Sequence, residues 1–380
     1  MSPPECAVVG DLHLRPAAAA AGSAACDAIV DAVADAAPAA VVLLGDVLHD
    51  GARVRCQPLA QASRLVRRLA RLCPTYVLVG NHDRDAGTAD RRYPDQPEGG
   101  HALVALGAIP GVVVVDAPTV ATIGDATVGL LPYVPPGEVG AAWADLERLA
   151  ADAPLSAVFG HFAVRGANVR SAHHPSADSE QLLGDAALDA WPDAAPPLVS
   201  GHLHEPQTVG GGRAWYPGAL LQSQFGHDAH EPAVHFLALR PREHGYTARS
   251  VPLPAVPRMR TVRAGDVGWE DLVRARPGDL WRVVLDAGSA EQAARVDGLR
   301  AALGAVAVSV VLRHAAPSDD GAAPWDGQAG GAKDRSRLFV QAAERAVERG
   351  AAETEARMRE RVLAEARRRL AAVLASGADE

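Results

Sequence analysis

Lysine is almost absent from this chain of 380 residues, since Lys333 is the single lysine among 37 basic side chains. The abundance of Ala, Gly, Pro and Arg is typical of a high-GC genome and does not by itself indicate a binding surface. Acidic residues outnumber basic ones and give a net charge of -9, so we do not expect the whole molecule to bind nucleic acid by bulk electrostatics. A local basic groove, or an acidic site filled by metal ions, is compatible with this charge.

Cysteine is also scarce, and the four that occur do not form a CxxC pair. The sequence therefore suggests neither a zinc knuckle nor a disulfide framework, and it favours a reducing compartment. We expect no secretory signal, because the first apolar run, residues 7–9, is too short for one. The sequence therefore predicts a cytoplasmic protein without a membrane anchor.

A long apolar run without charge is lacking as well. The alanine-rich residues 17–40 come nearest to one, but Asp27, Asp31 and Asp35 interrupt them at steps of four. This spacing places the three carboxylates on one side of a helix. We therefore expect an amphipathic helix and not a membrane span.

The length predicts two domains with an appendage. Up to about residue 205, short β-rich runs alternate with helical patterns, which indicates an α/β layer structure. The Pro-rich VPLPAVPR, residues 251–258, is interpreted as a linker. Two apolar runs, residues 280–286 and 306–312, enclose a helical pattern at 290–303 and predict a compact β-α-β unit. The predicted organisation is a main α/β domain, a second and smaller domain, a flexible linker and a helical segment that docks on a partner, at residues 1–250, 258–314, 315–332 and 333–376, respectively.

Five of the β-rich runs end in the same way. The runs AVV, VVLL, YVLV, AVF and LVS are each followed by a glycine and then by Asp, Asn or His; these glycines are Gly10, Gly45, Gly80, Gly160 and Gly201. Ligands of open α/β sheets bind beyond the carboxyl ends of the strands. We therefore expect the polar residues after these glycines to meet in one crevice.

The residues at these five positions are typical metal ligands. They are carboxylates, imidazoles and an amide, without a thiolate: Asp11 and His13 in GDLH, Asp46 in GDVLH, Asn81 in GNHD, His161 in GHF, and His202 and His204 in GHLH. This mixture suits Mn²⁺, Fe²⁺ or Zn²⁺, and the oxygen ligands favour Mn²⁺. Seven ligands exceed the need of one ion, whereas two ions about 3.5–4 Å apart would use them all and would support phosphoester hydrolysis. Six of the eight histidines outside these motifs are expected at the surface or behind the ligands: His101, His173, His174, His227, His230 and His235.

In this order and spacing, the motifs GDLH, GDVLH, GNHD, GHF and GHLH resemble those of the calcineurin-like metallophosphoesterase superfamily. Within it they resemble the Mre11/SbcD branch of DNA-repair nucleases, including related phage recombination nucleases. The resemblance implies an α/β fold in which a two-sheet sandwich is flanked by helices. It also implies a small α+β capping domain and a C-terminal helical segment that binds an SMC-like coiled-coil ATPase of the Rad50 or SbcC type.

The resemblance also assigns a role to each residue. Asp11, His13, Asp46 and His204 would hold one ion, and Asp46, Asn81, His161 and His202 the other. His82 would protonate the leaving oxygen, and His49 would lie over the scissile phosphate and favour the nuclease branch. For Asp83 two roles stay open, namely orienting His82 and stabilising the turn.

The function that follows is that of a Mn²⁺-dependent DNA exonuclease or endonuclease, the catalytic subunit of an ATPase complex acting at DNA ends, with a homodimer as a possible assembly. One alternative is a metallophosphoesterase for a small substrate, such as a cyclic nucleotide phosphodiesterase. It leaves the β-α-β unit and the C-terminal helix unexplained. A second alternative is a non-catalytic protein-binding scaffold, which is disfavoured because every ligand position is filled.

Overall fold

The structure is a computed structural model, and nine stretches of the chain are described below: residues 4–51, 53–84, 100–151, 153–168, 189–222, 230–240, 244–263, 279–286 and 307–313. The chain divides into two compact units, Met1–Val256 and Pro257–Glu380. The expected helix at 290–303, the linker at 315–332 and the partner-binding segment at 333–376 lie outside the described residues.

The first unit combines strands and helices in an α/β arrangement. Its described helices are α1 (Ala19–Ala36), α2 (Cys56–Leu69) and α3 (Val139–Ala150), with short 3-10 helices at Pro16–Ala18, Ala102–Ala108 and Gly210–Gly212. Its described strands are β1 (Glu5–Val9), β2 (Ala40–Leu43), β3 (Thr75–Leu78), β4 (Val112–Val115), β5 (Thr119–Ile123), β6 (Ala126–Tyr133), β7 (Ala157–His161), β8 (Leu198–Gly201), β9 (Gln207–Val209), β10 (Ala214–Tyr216), β11 (Ala233–Leu239) and β12 (Tyr246–Pro252).

These strands form two six-stranded mixed sheets. The first has the order β12-β11-β1-β2-β3-β4 and the second the order β5-β6-β7-β8-β10-β9. Strands β1 to β4 run parallel, and so do β6, β7, β8 and β10. The five strands whose ends carry the candidate ligands are therefore split between the sheets, with β1, β2 and β3 in the first and β7 and β8 in the second.

Alternating side chains of the central strands build a layered core. On β1, Ala7 and Val9 pack with α1 and α2, while Cys6 and Val8 face the second sheet. On β7, Phe159 joins the layer between the sheets, whereas Val158 packs toward α3. Full burial of a side chain such as Phe159 stabilises the fold by roughly 1.5–3 kcal/mol. The prediction of an α/β two-sheet sandwich flanked by helices is confirmed.

Helix α1 forms one side of this core. Together with the preceding turn, Pro16–Ala36 is long and apolar enough to cross a membrane by length and composition alone. In the structure Ile29 and Val33 are buried in the core against the first sheet, while Asp27 and Asp31 are exposed. The predicted amphipathic character of the helix is confirmed.

The boundary between the two units falls within the Pro-rich stretch at 251–258, but most of this stretch belongs to the first unit. Strand β12 extends to Pro252, and Leu253 and Val256 are buried in the core of the first unit. Burial of the apolar side chains between the prolines is favourable in free energy. The first unit therefore extends to Val256.

The second unit contains a parallel three-stranded sheet, β13 (Met259–Arg263), β14 (Leu280–Asp286) and β15 (Ala307–Arg313), in the order β13-β14-β15. Strands β14 and β15 occupy the two apolar runs from which a β-α-β unit was predicted. Strand β13 was not predicted, because MRTVR has no apolar run. The indole of Trp281 is fully buried in this unit beneath the guanidinium of Arg260, 5.5 Å from the ring centroid.

Candidate metal centre

The ends of five strands bring the predicted ligands into one cluster. Asp11 and His13 follow β1, Asp46 and His49 follow β2, Asn81 and His82 follow β3, His161 ends β7, and His202 and His204 follow β8. Because parallel strands end at the same edge and the two sheets are stacked, both edges supply residues to one crevice. The structure thus brings together all seven residues proposed as ligands and both proposed catalytic histidines.

One half of the cluster is built on two histidines. Nε2 of His13 lies 2.9 Å from Nε2 of His204. Nε2 of His204 is 3.6 Å from Oδ2 of Asp11, and Nε2 of His13 is 3.6 Å from Oδ2 of Asp46. All four side chains are buried. Asp11, His13 and His204 each offer a ligand atom within 4.8 Å of the others, an arrangement that could hold a metal ion.

The other half is built around an amide oxygen. Oδ1 of Asn81 lies 2.9 Å from Nδ1 of His202 and 3.2 Å from Nε2 of His161. The same Nε2 of His161 is 3.3 Å from Oδ1 of Asp46. Asp46 therefore presents one carboxylate oxygen to each half of the cluster, as a residue shared between two ions would.

The electrostatics of the cluster favour bound positive charge. Burial raises the pKa of Asp11 to about 7, because a carboxylate loses its hydration there. Burial also opposes the charge on Asp46, but His161, His82 and His13 outweigh it and hold the pKa of Asp46 well below its usual range. In His161 burial opposes protonation, yet Asp46 and Asp11 prevail and raise its pKa to about 9. The buried carboxylates thus stabilise positive charge on a neighbouring imidazole. They would stabilise bound divalent cations in the same way.

The backbone at the cluster is held in rarely occupied conformations. His13, Asp46 and His202 have positive φ angles of 44°, 47° and 80°, although none is glycine. Such conformations persist where the surrounding structure enforces them, and they concentrate at functional sites. Two of the preceding glycines allow close approach: a Cβ on Gly80 would collide with the Asp46 carboxylate, and one on Gly201 would lie 2.5 Å from Oδ1 of Asp11.

His82 and His49 lie together at the edge of the cluster. The backbone N–H of His82 donates to Oδ1 of Asp46 at 2.8 Å, and its Nδ1 donates to the carbonyl of His49 at 2.8 Å. The two rings stack with centroids 5.6 Å apart and an interplanar angle of 10°. The His13 ring lies 4.8 Å from His82 and 5.3 Å from His49.

Of the two roles considered for Asp83, the structure favours the one in the turn. Its buried carboxylate accepts N–H groups from Leu48 at 2.8 Å, Gly80 at 2.9 Å and Val47 at 3.3 Å. Asp83 thereby ties the loop after β2 to the loop after β3. The partner that orients the His82 ring is a backbone carbonyl and not this carboxylate.

Sequence reasoning missed two contributors to the cluster. The carbonyl of Leu44 accepts a hydrogen bond of 2.6 Å from Nδ1 of His161, which directs Nε2 of that ring toward Asn81 and Asp46. The ring of Tyr133, at the end of β6, lies 5.9 Å from that of His202. The motif pattern is a glycine followed by Asp, Asn or His. It could not identify the Leu44 carbonyl, which every residue type has, or Tyr133, which does not follow a glycine.

The histidines without a motif have other environments. His101, His230 and His235 are buried and therefore not surface residues. His101 lies 3.4 Å from the Asp116 carboxylate, and His235 lies 2.8 Å from the Ser250 hydroxyl. His173, His174 and His227 lie outside the described residues.

A two-sheet α/β sandwich with carboxylate, amide and imidazole groups at its strand ends defines a metallophosphoesterase. The sequence profile of the calcineurin-like phosphoesterases matches residues 6–206, more than half of the chain, and the protein belongs to this family. It is a hydrolase of phosphoester bonds, and its fold implies divalent metal ions. The predicted family and enzyme class are confirmed.

Three curated relatives align with parts of the chain. "Putative phosphoesterase 244L" of Invertebrate iridescent virus 6 is 25% identical over 58% of this chain and 72% of its own length. "Putative phosphoesterase 078R" of Invertebrate iridescent virus 3 is 31% identical over 56% of each. The SbcD subunit of the nuclease SbcCD from Rhodobacter capsulatus is 34% identical over 26% of this chain and 25% of its own length. The last match supports the resemblance to the Mre11/SbcD branch, although it spans only a quarter of that relative.

Proposed function

We propose that this protein is a Mn²⁺-dependent DNA exonuclease or endonuclease that hydrolyses phosphodiester bonds at DNA ends. The observation that carries the proposal is the position of His49, whose ring stacks on that of His82 at the edge of the candidate metal centre. A second imidazole beside the proposed proton donor can contact the phosphate of a long substrate. The partial similarity to the SbcD subunit of the nuclease SbcCD points in the same direction.

The charge of the segment that follows His49 in the sequence supports a polyanionic substrate. The sequence has no Asp or Glu between residues 51 and 82, and Arg53, Arg55, Arg64, Arg67 and Arg71 are exposed there. The last two lie at or beyond the final turn of α2, where basic residues also complement the helix dipole. The first three have no such role. In a chain of net charge -9, this local excess of arginine fits contacts to DNA phosphates.

The ligand assignment follows the two halves of the cluster. One ion would be held by Asp11, His13, Asp46 and His204, and the other by Asp46, Asn81, His161 and His202. Oxygen and imidazole ligands without a thiolate suit Mn²⁺, and also Fe²⁺ or Zn²⁺. Two such ions supply the positive charge that lowers the pKa of water and stabilises in-line displacement at phosphorus.

His82 is the proposed general acid. A carbonyl oxygen only accepts hydrogen bonds, so the contact with His49 assigns a proton to Nδ1 of His82. Nε2 is then the nitrogen that exchanges a proton with the leaving sugar oxygen. The backbone N–H of His82 donates to Asp46, which anchors this residue beside the cluster.

The test is hydrolysis by the purified protein with Mn²⁺ on linear DNA, closed circular DNA, bis-p-nitrophenyl phosphate and cyclic AMP. We expect hydrolysis of linear DNA and of the small diester, and we expect His49→Gln to impair DNA cleavage more strongly. Hydrolysis of cyclic AMP without DNA cleavage would replace this proposal by a small-substrate phosphodiesterase. Inactivity on all four substrates with metal bound would indicate a scaffold.

The arginines can be tested against a matched control. Replacing Arg53, Arg55 and Arg64 by Gln should raise the KM for DNA and flatten its salt dependence, because fewer counterions are released on binding. Hydrolysis of bis-p-nitrophenyl phosphate should not change. Arg148→Gln removes an exposed arginine of α3 that pairs with Asp145, and it should leave both substrates unaffected.

We also propose that the protein is the catalytic subunit of a complex with an SMC-like coiled-coil ATPase of the Rad50/SbcC type. The proposed docking segment is the helical pattern at 333–376, which lies outside the described residues. Deleting residues 333–380 should spare hydrolysis of the small diester and abolish co-purification with the ATPase. Retained binding of the ATPase would contradict the assignment of the docking segment.

A further inference from the structure

A short segment after β10 connects ligand loops that come from different sheets. This segment, residues 217–220 with the sequence PGAL, is called the strap. The N–H of Leu220 donates to the carbonyl of Asp11 at 2.9 Å, and the N–H of Ala219 donates to the carbonyl of His204 at 3.1 Å. Asp11 follows β1 of the first sheet, and His204 follows β8 of the second. Two successive N–H groups therefore link the backbones of two proposed ligands of the same ion.

The close approach of the strap depends on two glycines. A Cβ on Gly10 would collide with the carbonyl oxygen of Gly218. Gly218 itself has a φ of 85°, and a Cβ there would lie 2.8 Å from the carbonyl oxygen of His204. A side chain at either position would push the strap away from the loops that it joins.

His230 holds the strap from the other side. Its ring is buried, and its Nε2 donates a hydrogen bond of 2.6 Å to the carbonyl of Ala219. The carbonyl of Ala219 therefore contacts His230, and its N–H contacts His204. His230 belongs to none of the ligand motifs, and the mechanism above does not use it.

The geometry of a metal site is more demanding than that of an apolar core. Ligand distances are defined to about 0.2 Å, whereas apolar packing between the sheets is not directional. Hydrogen bonds are directional, so a hydrogen-bonded link can fix the separation of ligand loops that stand on different sheets.

We propose that His230 is a positioning residue that acts through the strap to set the separation of Asp11 and His204, and thereby the affinity of one of the two ions. The ion concerned is the one assigned to Asp11, His13, Asp46 and His204. The strap hydrogen bonds described above do not include the backbone of Asn81, His161 or His202, so we expect a smaller change in the affinity of the second ion. The inference rests on the ligand assignment under the proposed function.

The test is Mn²⁺ binding to the metal-free full-length protein, followed by the electron paramagnetic resonance signal of free Mn²⁺. In His230→Leu we expect one class of site to weaken by about 10- to 100-fold, the usual cost of losing a group that orients a metal ligand. The other class should change by less than about threefold. His230→Gln can restore a donor to the Ala219 carbonyl and should recover part of the affinity. His204→Ala and Asn81→Ala identify the two classes.

His235→Leu is the matched control, since it also removes a buried imidazole, in this case one that lies 2.8 Å from the Ser250 hydroxyl. It should lower the thermal stability of the metal-free protein without changing Mn²⁺ affinity. Equal weakening of both classes in His230→Leu, or no change in either, would overturn the role of the strap. Gly218→Ala provides a second variant, and it should weaken the same class as His230→Leu. If the wild-type protein bound fewer than two ions, the ligand assignment itself would fail.

Discussion

Replacing His82 by Gln separates proton transfer from metal binding. The link from this residue to Asp46 is a backbone N–H at 2.8 Å, which substitution by Gln retains. Asp46 should therefore stay in place, and both ions should bind as in the wild type. The amide of Gln cannot deliver a proton to the leaving oxygen, so turnover should fall by about 10²- to 10⁴-fold. This corresponds to a barrier higher by roughly 2.7–5.5 kcal/mol.

The assay combines turnover of bis-p-nitrophenyl phosphate and of linear DNA with the metal content of the same preparation. The control is His235→Gln, which replaces a buried histidine outside the ligand motifs. Turnover should not change in this variant. A loss of bound metal in His82→Gln would show that His82 is itself a ligand. Full activity with both ions bound would exclude it as the proton donor.

Three further predictions concern stability. Asp83→Asn should lower the free energy of unfolding by about 1–3 kcal/mol, measured by urea denaturation, because an amide cannot accept all the N–H groups that this buried carboxylate accepts. Burial, with a smaller effect of His230, lowers the pKa of His235 from 6.5 to about 4; the unfolded chain therefore binds a proton first as the pH falls, and stability is lost between pH 6.5 and 4. His235→Gln should remove roughly 2 kcal/mol of the loss between pH 7 and 5, and an unchanged pH profile would refute this. Saturation with Mn²⁺ at about 100 times its Kd should stabilise the wild type by about 2.7 kcal/mol for each ion bound, a shift in melting that EDTA reverses.

The candidate ligands could be predicted from the sequence because each lies directly after a strand-ending run. A glycine that permits close approach, followed by Asp, Asn or His, is a local pattern, and it occurs at all five positions. The apolar run LWRVVLD, residues 280–286, was also sufficient to predict strand β14. The division of the strands between two sheets came from the family resemblance alone, because alternation within a strand does not specify its neighbours.

The supporting contacts could not be predicted because most of their acceptors are backbone carbonyls. His161 is oriented by the carbonyl of Leu44, His82 by that of His49, and the strap is held by His230 through the carbonyl of Ala219. Every residue has a carbonyl, so composition and spacing do not distinguish these from others. In this centre the side chains that would contact the ions can be recognised in the sequence. The groups that fix their orientation depend on which loops the fold brings together, and here those loops belong to both sheets.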